Sequence, residues 1–167
     1  MNIITFSGAS GSGKTTIAKY IHEKRKNSLF VSLDNYYLNK EQQVKKNGFV
    51  DFDNPASIDV DLLKKNILEL EQEGKTKIPI YCFIKRDRIG YKEIFKKDLL
   101  ILEGLYASYF RLDNVKLNIF INVDLDIALL RRLKRDINER NRSFDDIDLL
   151  SQRVRLSLIV PSNKNIS

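Results

Sequence analysis

The chain has 167 residues, 43% of them hydrophobic and 31% charged, which is typical of one globular domain with a buried core. No apolar run approaches the length of a membrane helix and no basic-then-apolar leader precedes the first strand, so we expect a single cytoplasmic domain over residues 1–167 with no membrane partner. The net charge of +7 suits an anionic ligand, but without repeats or interleaved basic and aromatic residues it does not favour nucleic acid.

The first predicted elements are a strand, a glycine-rich turn and a helix. Residues 3–6 are apolar, and Ile17, Ala18 and Ile21 follow at helical spacing. The turn between them matches G-x-x-x-x-G-K-[ST], the phosphate-binding P-loop. Its glycines let backbone N–H groups surround an anion, and the N-terminus of the helix adds the positive end of a dipole. The predicted nucleotide-binding residues are Gly8, Ala9, Ser10, Gly11, Ser12, Gly13, Lys14, Thr15 and Thr16.

Three residues in and near this loop are predicted to carry the chemistry. Lys14 should reach the β- and γ-phosphates of ATP (or GTP), and the Thr15 hydroxyl should help to hold Mg²⁺. Residues 29–33 form an apolar strand that leads to Asp34, and ligands of open parallel sheets bind at this end of the strands. Asp34 is therefore the candidate base for an acceptor hydroxyl. The alternative for Asp34 is a turn aspartate that caps backbone N–H groups.

The stretch that follows is polar. Residues 39–54 include Gly48 and are predicted to form a loop or mobile flap. Residues 49–55 hold two phenylalanines and two aspartates, a combination that suits a planar base and a ribose, although a loop folded back on its own phenylalanines has the same composition. Ser57 is the expected cap of a helix that ends at Gly74.

Residues 77–84 predict a strand whose alternation places Tyr81 and Phe83 on one face. Because Pro79 has no N–H for a ladder, we expect an edge strand that forms one arm of a small hairpin outside the main sheet. Residues 87–90 match the D-x-x-G switch pattern of GTPases, but no N-K-x-D occurs in the chain. A guanine-specific switch protein is therefore disfavoured.

A second acidic residue ends the next strand. Residues 99–102 are continuously apolar, which is typical of a central parallel strand buried on both faces, and Glu103 follows them. At the end of this strand Glu103 would lie near Mg²⁺ or its waters. A further strand is expected over residues 117–123.

The helix expected after this strand is rich in arginine. One interpretation is that Arg132 pairs with Asp136 on a solvated face. Arg135 and Glu139 have the same spacing. The other interpretation is that the cations neutralise a transferring phosphoryl group, some of them from a closing lid over residues 131–146. The cations concerned are Arg131, Arg132, Arg135, Arg140 and Arg142.

Six blocks in this order make the chain resemble the uridine kinases (uridine-cytidine kinases) of the P-loop kinase superfamily. The blocks are residues 7–16, 33–37, 52–55, 79–83, 102–104 and 131–140. The resemblance implies Mg²⁺-dependent transfer of the γ-phosphate of ATP to the 5′-hydroxyl of uridine or cytidine. It also implies a three-layer α/β/α P-loop NTPase fold, and we expect a parallel sheet with strand order 2-3-1-4, a small hairpin and a lid.

The resemblance implies roles for individual residues. Asp34 would be the base, and Asp53 would hold the ribose hydroxyls. Tyr81 and Phe83 would flank the nucleobase. Arg135 and Arg140 would contact the phosphates. The full set expected to bind substrate is Asp34, Tyr37, Asp53, Tyr81, Phe83, Arg86, Arg132 and Arg142, and the set expected for the metal ion is Thr15 and Glu103.

Two departures from the family pattern bear on these expectations. Arg86 stands where such kinases carry a histidine that contacts the pyrimidine edge, and arginine can donate but not accept hydrogen bonds. The chain also stops at Ser167, before the last strand of the family, and a homo-oligomer is one way to complete such a sheet. Two alternatives to uridine kinase activity therefore stand: a related kinase for another small hydroxyl substrate, and an ATP-binding module without catalysis.

Overall fold

The computed structural model describes residues 1–140, which hold six strands and four α-helices. In chain order these are β1 (Asn2–Gly8), α1 (Lys14–Lys24), β2 (Ser28–Ser32), α2 (Lys40–Asn47), α3 (Val60–Glu73), β3 (Lys75–Cys82), β4 (Asp87–Phe95), β5 (Leu99–Glu103), β6 (Val115–Ile121) and α4 (Leu125–Arg140). Short 3₁₀ turns cover Leu33–Tyr36 and Pro55–Ser57.

A four-stranded parallel sheet forms the centre of the fold. Its strand order is β2-β5-β1-β6, which confirms the predicted order 2-3-1-4 when the strands of this sheet are counted along the chain. β5 pairs with β1 on one side and with β2 on the other. Most of its residues are buried, as expected for a strand covered on both faces.

Helices cover both faces of this sheet. Alternate residues of β5 enter two separate cores, because successive side chains of a strand point to opposite faces. Leu100 and Leu102 belong to one core with Leu63 of α3, whereas Ile101 belongs to the other with Ala18 of α1. The predicted three-layer α/β/α architecture is confirmed.

β3 and β4 form a separate antiparallel hairpin. Pro79 lies in β3 opposite Tyr91, and the prediction of a hairpin outside the main sheet is confirmed. The tip between the two strands holds Phe83 and Arg86. Arg86 has φ 53°, a left-handed conformation that suits a tight turn. The D-x-x-G residues 87–90 belong to β4.

Two local predictions are wrong. The polar stretch over residues 39–54 is not a loop throughout, because α2 occupies its first half. The Asn39 side chain accepts from the Gln42 N–H at 2.8 Å and the Gln42 side chain accepts from the Asn39 N–H at 3.1 Å, a capping box that stabilises the first turn. The cap of α3 is Asp59 and not Ser57, since Asp59 Oδ1 accepts a backbone N–H of the first turn at 3.1 Å.

The predicted lid begins within α4, whose C-terminal part covers residues 131–140. Residues 141–146 of the predicted lid, including Arg142, lie outside the described residues. The expectation that the last family strand is missing also concerns residues outside them. Within residues 1–140, no helix is long and apolar enough to cross a lipid bilayer.

Candidate active site

The P-loop connects β1 to α1, as predicted. The last residue of β1 is Gly8 and the first residue of α1 is Lys14. In the described part of the chain, no side chain caps the N-terminus of α1, and its first turn contains no acidic residue. The backbone N–H groups of that turn are therefore left for an anion. The loop fits the phosphates of a nucleotide.

Gly11 brings the P-loop against α4. A Cβ atom at this position would lie 2.1 Å from the backbone oxygen of Ala128, and the residue has φ 87°. Glycine meets both requirements, because it has no Cβ and adopts positive φ without strain. This contact sets the distance between the phosphate loop and the helix that carries the arginines.

We expect Gly11→Ala to lower the free energy of unfolding by about 2–6 kcal/mol, because positive φ and overpacking each cost about 1–3 kcal/mol. ATP affinity should fall as well, since the loop and α4 must move apart. Gly13→Ala is the matched control: Gly13 also has positive φ, of 91°, but a Cβ there would meet no atom of the described residues within 4 Å. Chemical denaturation compares the two variants, and ATP titration calorimetry compares Gly11→Ala with the unmodified protein. An equal loss of stability in both variants would contradict the role of the close contact.

The carboxylate of Glu103 lies next to the start of α1. Thr15 Oγ1 donates to Glu103 Oε2 at 2.9 Å, and Ser32 Oγ donates to Oε1 at 2.7 Å. Ser32 belongs to no sequence motif. It is found as a partner of Glu103 because the two residues lie opposite each other at the carboxyl ends of β2 and β5. Glu103 is 3% exposed, and burial, followed by the nearby Asp34, raises the pKa of its carboxyl. A cation beside it would stabilise the ionised form.

The oxygen atoms of Thr15 and Glu103 fit Mg²⁺, which binds hard oxygen ligands and keeps several of its waters. Within residues 1–140, no group of three or more acidic, histidine or cysteine side chains is arranged to hold a metal ion. The described part of the protein thus offers few ligands of its own. Mg²⁺ that is bound through the phosphates of a nucleotide needs only one or two protein ligands.

Lys14 is buried at the start of α1. It is 8% exposed, and its Nζ donates to the Ala9 carbonyl at 3.4 Å. Burial lowers the pKa of Lys14, against the attraction of Glu103 and Asp34. Ser12 Oγ is also buried and has no hydrogen-bond partner among the described residues. An anionic oxygen ligand would stabilise both the ammonium group and the hydroxyl.

Two arginines of α4 contact opposite sides of the site. Arg132 donates to both carboxylate oxygens of Asp53, at 3.1 and 2.7 Å, a bidentate geometry that fixes both groups. Arg135 Nη2 donates to Ser10 Oγ of the P-loop at 3.0 Å. The helix therefore links the phosphate loop to the segment that carries Asp53.

Arg140 lies beside the candidate base. Its Nη2 is 3.7 Å from Asp34 Oδ2, and its guanidinium carbon is 3.6 Å from the centre of the Phe83 ring, a cation–π contact. The Asp34 side chain is 38% exposed, so its carboxylate is accessible to an acceptor. The resemblance implies a phosphate role for Arg140, and this structure places it between Asp34 and Phe83.

Arg132 also lies 3.8 Å from Asp136, four residues later in α4. The predicted pair therefore forms, but both side chains are buried, and its interpretation as a pair on a solvated face is wrong. Asp136 Oδ1 also accepts from Arg135 Nη2 at 2.8 Å. Spacing alone does not tell which side of a helix packs against the protein.

Asp53 is held from a second side by Tyr106, a residue that no motif singled out. The Tyr106 hydroxyl donates to the main-chain carbonyl of Asp53, and burial, followed by the Asp53 charge, raises the pKa of Tyr106. Burial disfavours the charged form of Arg132. The contacts of the guanidinium with Asp53 and Asp136 outweigh burial and raise the pKa of Arg132. The Arg132 guanidinium is thereby kept ionised in a buried setting.

Four aromatic rings pack together as a wall, with neighbouring ring centres 5.1–6.2 Å apart. This aromatic wall consists of Tyr37, Phe52, Tyr81 and Phe83. Tyr81 and Phe83 contact each other, as their spacing predicts. Tyr37 is buried, and its hydroxyl donates to the Phe52 carbonyl at 2.6 Å. Tyr37 is therefore the buried member of the aromatic wall and helps to fix Phe52.

The remaining predicted residues lie at the rim or outside the described chain. Arg86 is exposed at the hairpin tip, and its backbone oxygen accepts from the Lys40 N–H at 3.0 Å. Thr16 is exposed in the first turn of α1. Arg142 is not among the described residues.

Comparisons with known proteins point to one family. A family model described as "Phosphoribulokinase / Uridine kinase family" matches residues 3–157. A uridine kinase of Saccharomyces cerevisiae is 41% identical over 153 residues, which are 86% of this chain but 30% of the yeast protein. A uridine kinase of Ureaplasma parvum is 35% identical over 175 aligned positions, covering 98% of this chain and 84% of that protein.

Among solved structures, D-glycerate 3-kinase from Cryptococcus neoformans superposes with a TM-score of 0.71 at 19% identity, over 94% of this chain and 77% of that chain. This likeness concerns the fold. The family match spans nearly the whole sequence and confirms the resemblance drawn from the six blocks. The chain belongs to the phosphoribulokinase/uridine kinase family, a family of phosphotransferases.

Proposed function

We propose that the protein is an Mg-ATP-dependent nucleoside kinase that phosphorylates the 5′-hydroxyl of uridine or cytidine. The observation that carries this proposal is the convergence of Asp34, Glu103 and Lys14 at one edge of the sheet, where Asp34 acts electrostatically on both other groups. A carboxylate able to take a proton thus lies near groups suited to Mg²⁺ and phosphate. The uridine kinases that align with most of this chain support the choice of acceptor.

On the donor side, Lys14 and the backbone N–H groups of the P-loop would bind the β- and γ-phosphates. Thr15 and Glu103 would hold Mg²⁺ or its waters. When bound, the metal ion neutralises charge on the phosphates. Arg135, which donates to Ser10 of the loop, would add a cation near the transferring group.

On the acceptor side, Asp34 would take the proton of the 5′-hydroxyl as that oxygen forms a bond to the γ-phosphorus. The bond between the γ-phosphorus and the β–γ bridging oxygen breaks, and its electron pair leaves with ADP. Arg140, 3.7 Å from Asp34, would orient the carboxylate and stabilise charge that develops nearby.

The nucleoside itself would lie along the aromatic wall, where Tyr81 and Phe83 suit a planar pyrimidine. Asp53 is the proposed contact for the ribose hydroxyls. Arg132 donates to both of its oxygens, but each carboxylate oxygen has two acceptor positions. Asp53 can therefore bind the arginine and a hydroxyl together, which would bring Arg132 close to the substrate.

A second candidate function is a kinase of the same family that acts on another small hydroxyl compound. Arg86 favours this candidate, because it is exposed at the hairpin tip, three residues after Phe83, and can only donate hydrogen bonds. An acceptor that carries a carboxylate or phosphate would match it.

Steady-state phosphate transfer from Mg-ATP to a panel of nucleosides and small hydroxyl compounds tests these functions. Turnover with uridine or cytidine would establish the proposed function. Turnover with a different acceptor alone would keep the mechanism and reject the nucleoside. ATP binding without acceptor-dependent turnover would identify a nucleotide-binding module.

Arg86→His is expected to change the ratio of kcat/KM for uridine to that for cytidine about tenfold, because a hydrogen bond to a charged group contributes about 1.5–3 kcal/mol. Histidine can accept as well as donate, so it would prefer a different base edge. Lys85→His, at the exposed neighbouring position, is the matched control. The same ratio in the Arg86 variant and the unmodified protein would exclude contact between Arg86 and the base.

A further inference from the structure

One buried carboxylate joins the three arginines of the site. Asp136 is 1% exposed. Its Oδ1 accepts from Arg135 Nε at 3.0 Å and from Nη2 at 2.8 Å. Arg140 Nη1 lies 3.6 Å from the same oxygen, and Arg132 Nε lies 3.8 Å from Oδ2. Arg132 and Arg140 stand one helical turn before and one helical turn after Asp136, so the spacing brings these three residues to one side of α4.

Each of these guanidinium groups also contacts a different part of the site. One contact belongs to the segment proposed to bind ribose, one to the P-loop and one to the candidate base. The contacts are Arg132 to Asp53, Arg135 to Ser10 and Arg140 to Asp34. Asp136 is therefore a charged group that joins the three contacts.

The charges make these contacts depend on one another. Three cations lie within 4 Å of the Asp136 carboxylate, and repulsion between cations is strong where water is excluded. Asp136 offsets that repulsion. Because Arg135 and Arg140 share Oδ1, a shift of the carboxylate toward one arginine weakens its contact with the others.

We propose that Asp136 is a positioning residue that couples the acceptor side of the site to the P-loop, so that a change at Asp53 alters the affinity for ATP. Asp136 would act through the arginines and has no proposed contact with substrate. The role given to Asp53 in the acceptor site rests on the proposed function, whereas the coupling requires ATP binding alone.

A double-mutant cycle on ATP affinity tests the coupling. Asp53→Asn should weaken ATP binding about three- to tenfold, because Arg132 then loses the negative charge of Asp53 and draws the Asp136 carboxylate away from Arg135. In the Asp136→Asn background the same change should alter ATP binding less than about twofold, the range expected for independent sites. Titration calorimetry with ATP on the four proteins provides the dissociation constants.

Glu139→Gln is the matched control, because it removes one negative charge from an exposed position of the same helix. In that background Asp53→Asn should keep its full effect. A merely structural Asp136 would lower the unfolding midpoint and leave the effect of Asp53→Asn unchanged. An equal effect of Asp53→Asn with and without Asp136, or no effect in the unmodified protein, overturns the proposal.

Asp136→Glu keeps the test decisive if the asparagine variant does not fold. It retains the charge and moves the carboxylate by one methylene group, so the effect of Asp53→Asn on ATP binding should shrink. An undiminished effect overturns the proposal here too. Because ATP is the ligand throughout, a failure of the coupling is distinguished from a failure of the nucleoside assignment, which the turnover panel decides.

Discussion

Asp34→Asn is expected to lower kcat about 10²–10⁴-fold, the usual contribution of a general base. Asparagine has the same shape and can accept a hydrogen bond, but it cannot take the proton of the acceptor hydroxyl. ATP affinity should change far less than kcat, because the main loss concerns the chemical step. Steady-state turnover at saturating acceptor and ATP titration calorimetry measure the two quantities separately.

Asp113→Asn, at an exposed position between β5 and β6, is the matched control and should turn over normally. Normal turnover of Asp34→Asn would instead favour the turn-aspartate alternative. The local geometry speaks against that alternative, because the cap of the turn is Ser32, whose Oγ accepts from the Asp34 N–H at 3.4 Å. The Asp34 carboxylate is thus not needed to cap its own turn.

Glu103→Gln is expected to lower turnover with Mg-ATP about 100-fold, since the loss of a group that holds or orients a metal ion commonly costs 10–100-fold. The same variant should raise the unfolding midpoint of the free protein by about 2–4 °C, the shift that about 1 kcal/mol gives at this size. Burial raises the pKa of Glu103, so the folded state disfavours the carboxylate and a neutral amide removes that cost.

Glu23→Gln, on an exposed position of α1, should change neither quantity. Thermal unfolding without nucleotide and steady-state kinetics with Mg-ATP provide the comparison. A lower midpoint for Glu103→Gln would mean that the carboxylate stabilises the free protein, contrary to the effect of its burial.

The raised pKa of Glu103 also makes the difference in unfolding midpoint between Glu103→Gln and the unmodified protein depend on pH. Folded Glu103 binds its proton more tightly than the unfolded chain, whose carboxyl has the ordinary value of 4.5. Its contribution to stability is present below that value and is lost as pH rises through the raised pKa of the folded state. The midpoint difference between Glu103→Gln and the unmodified protein should therefore widen over this window. A difference independent of pH would contradict the raised pKa.

Strong local patterns predicted the fold around the site. The continuous apolar run before Glu103 became the central strand β5, and the glycine-rich turn lies between a strand and a helix. Parallel strands end at the same edge of a sheet, so the acids that follow β2 and end β5 were expected near the P-loop. Asp34 and Glu103 do interact electrostatically with Lys14.

The helix α2 was missed because its residues are polar except for Val44. Its stability derives from its ends, where Asn39 and Gln42 form the capping box, and from Gln43, which is fully buried. The Gln43 side chain donates to the Leu38 carbonyl at 2.8 Å and accepts from the Asp51 N–H at 3.0 Å. The cap could have been predicted from its spacing, whereas the burial of an amide depends on the segment that covers it.

The sequence by itself determined the P-loop, the strand-end acids and the arginine-rich helix, because each depends on residue types at short spacing. The tertiary structure alone decided which side of α4 faces the site. The close approach of Gly11 to Ala128 packs that helix against the phosphate loop, and Asp136 becomes buried among the arginines. A charged pair has the same spacing on either side of a helix, so its burial is set by what the fold places against it.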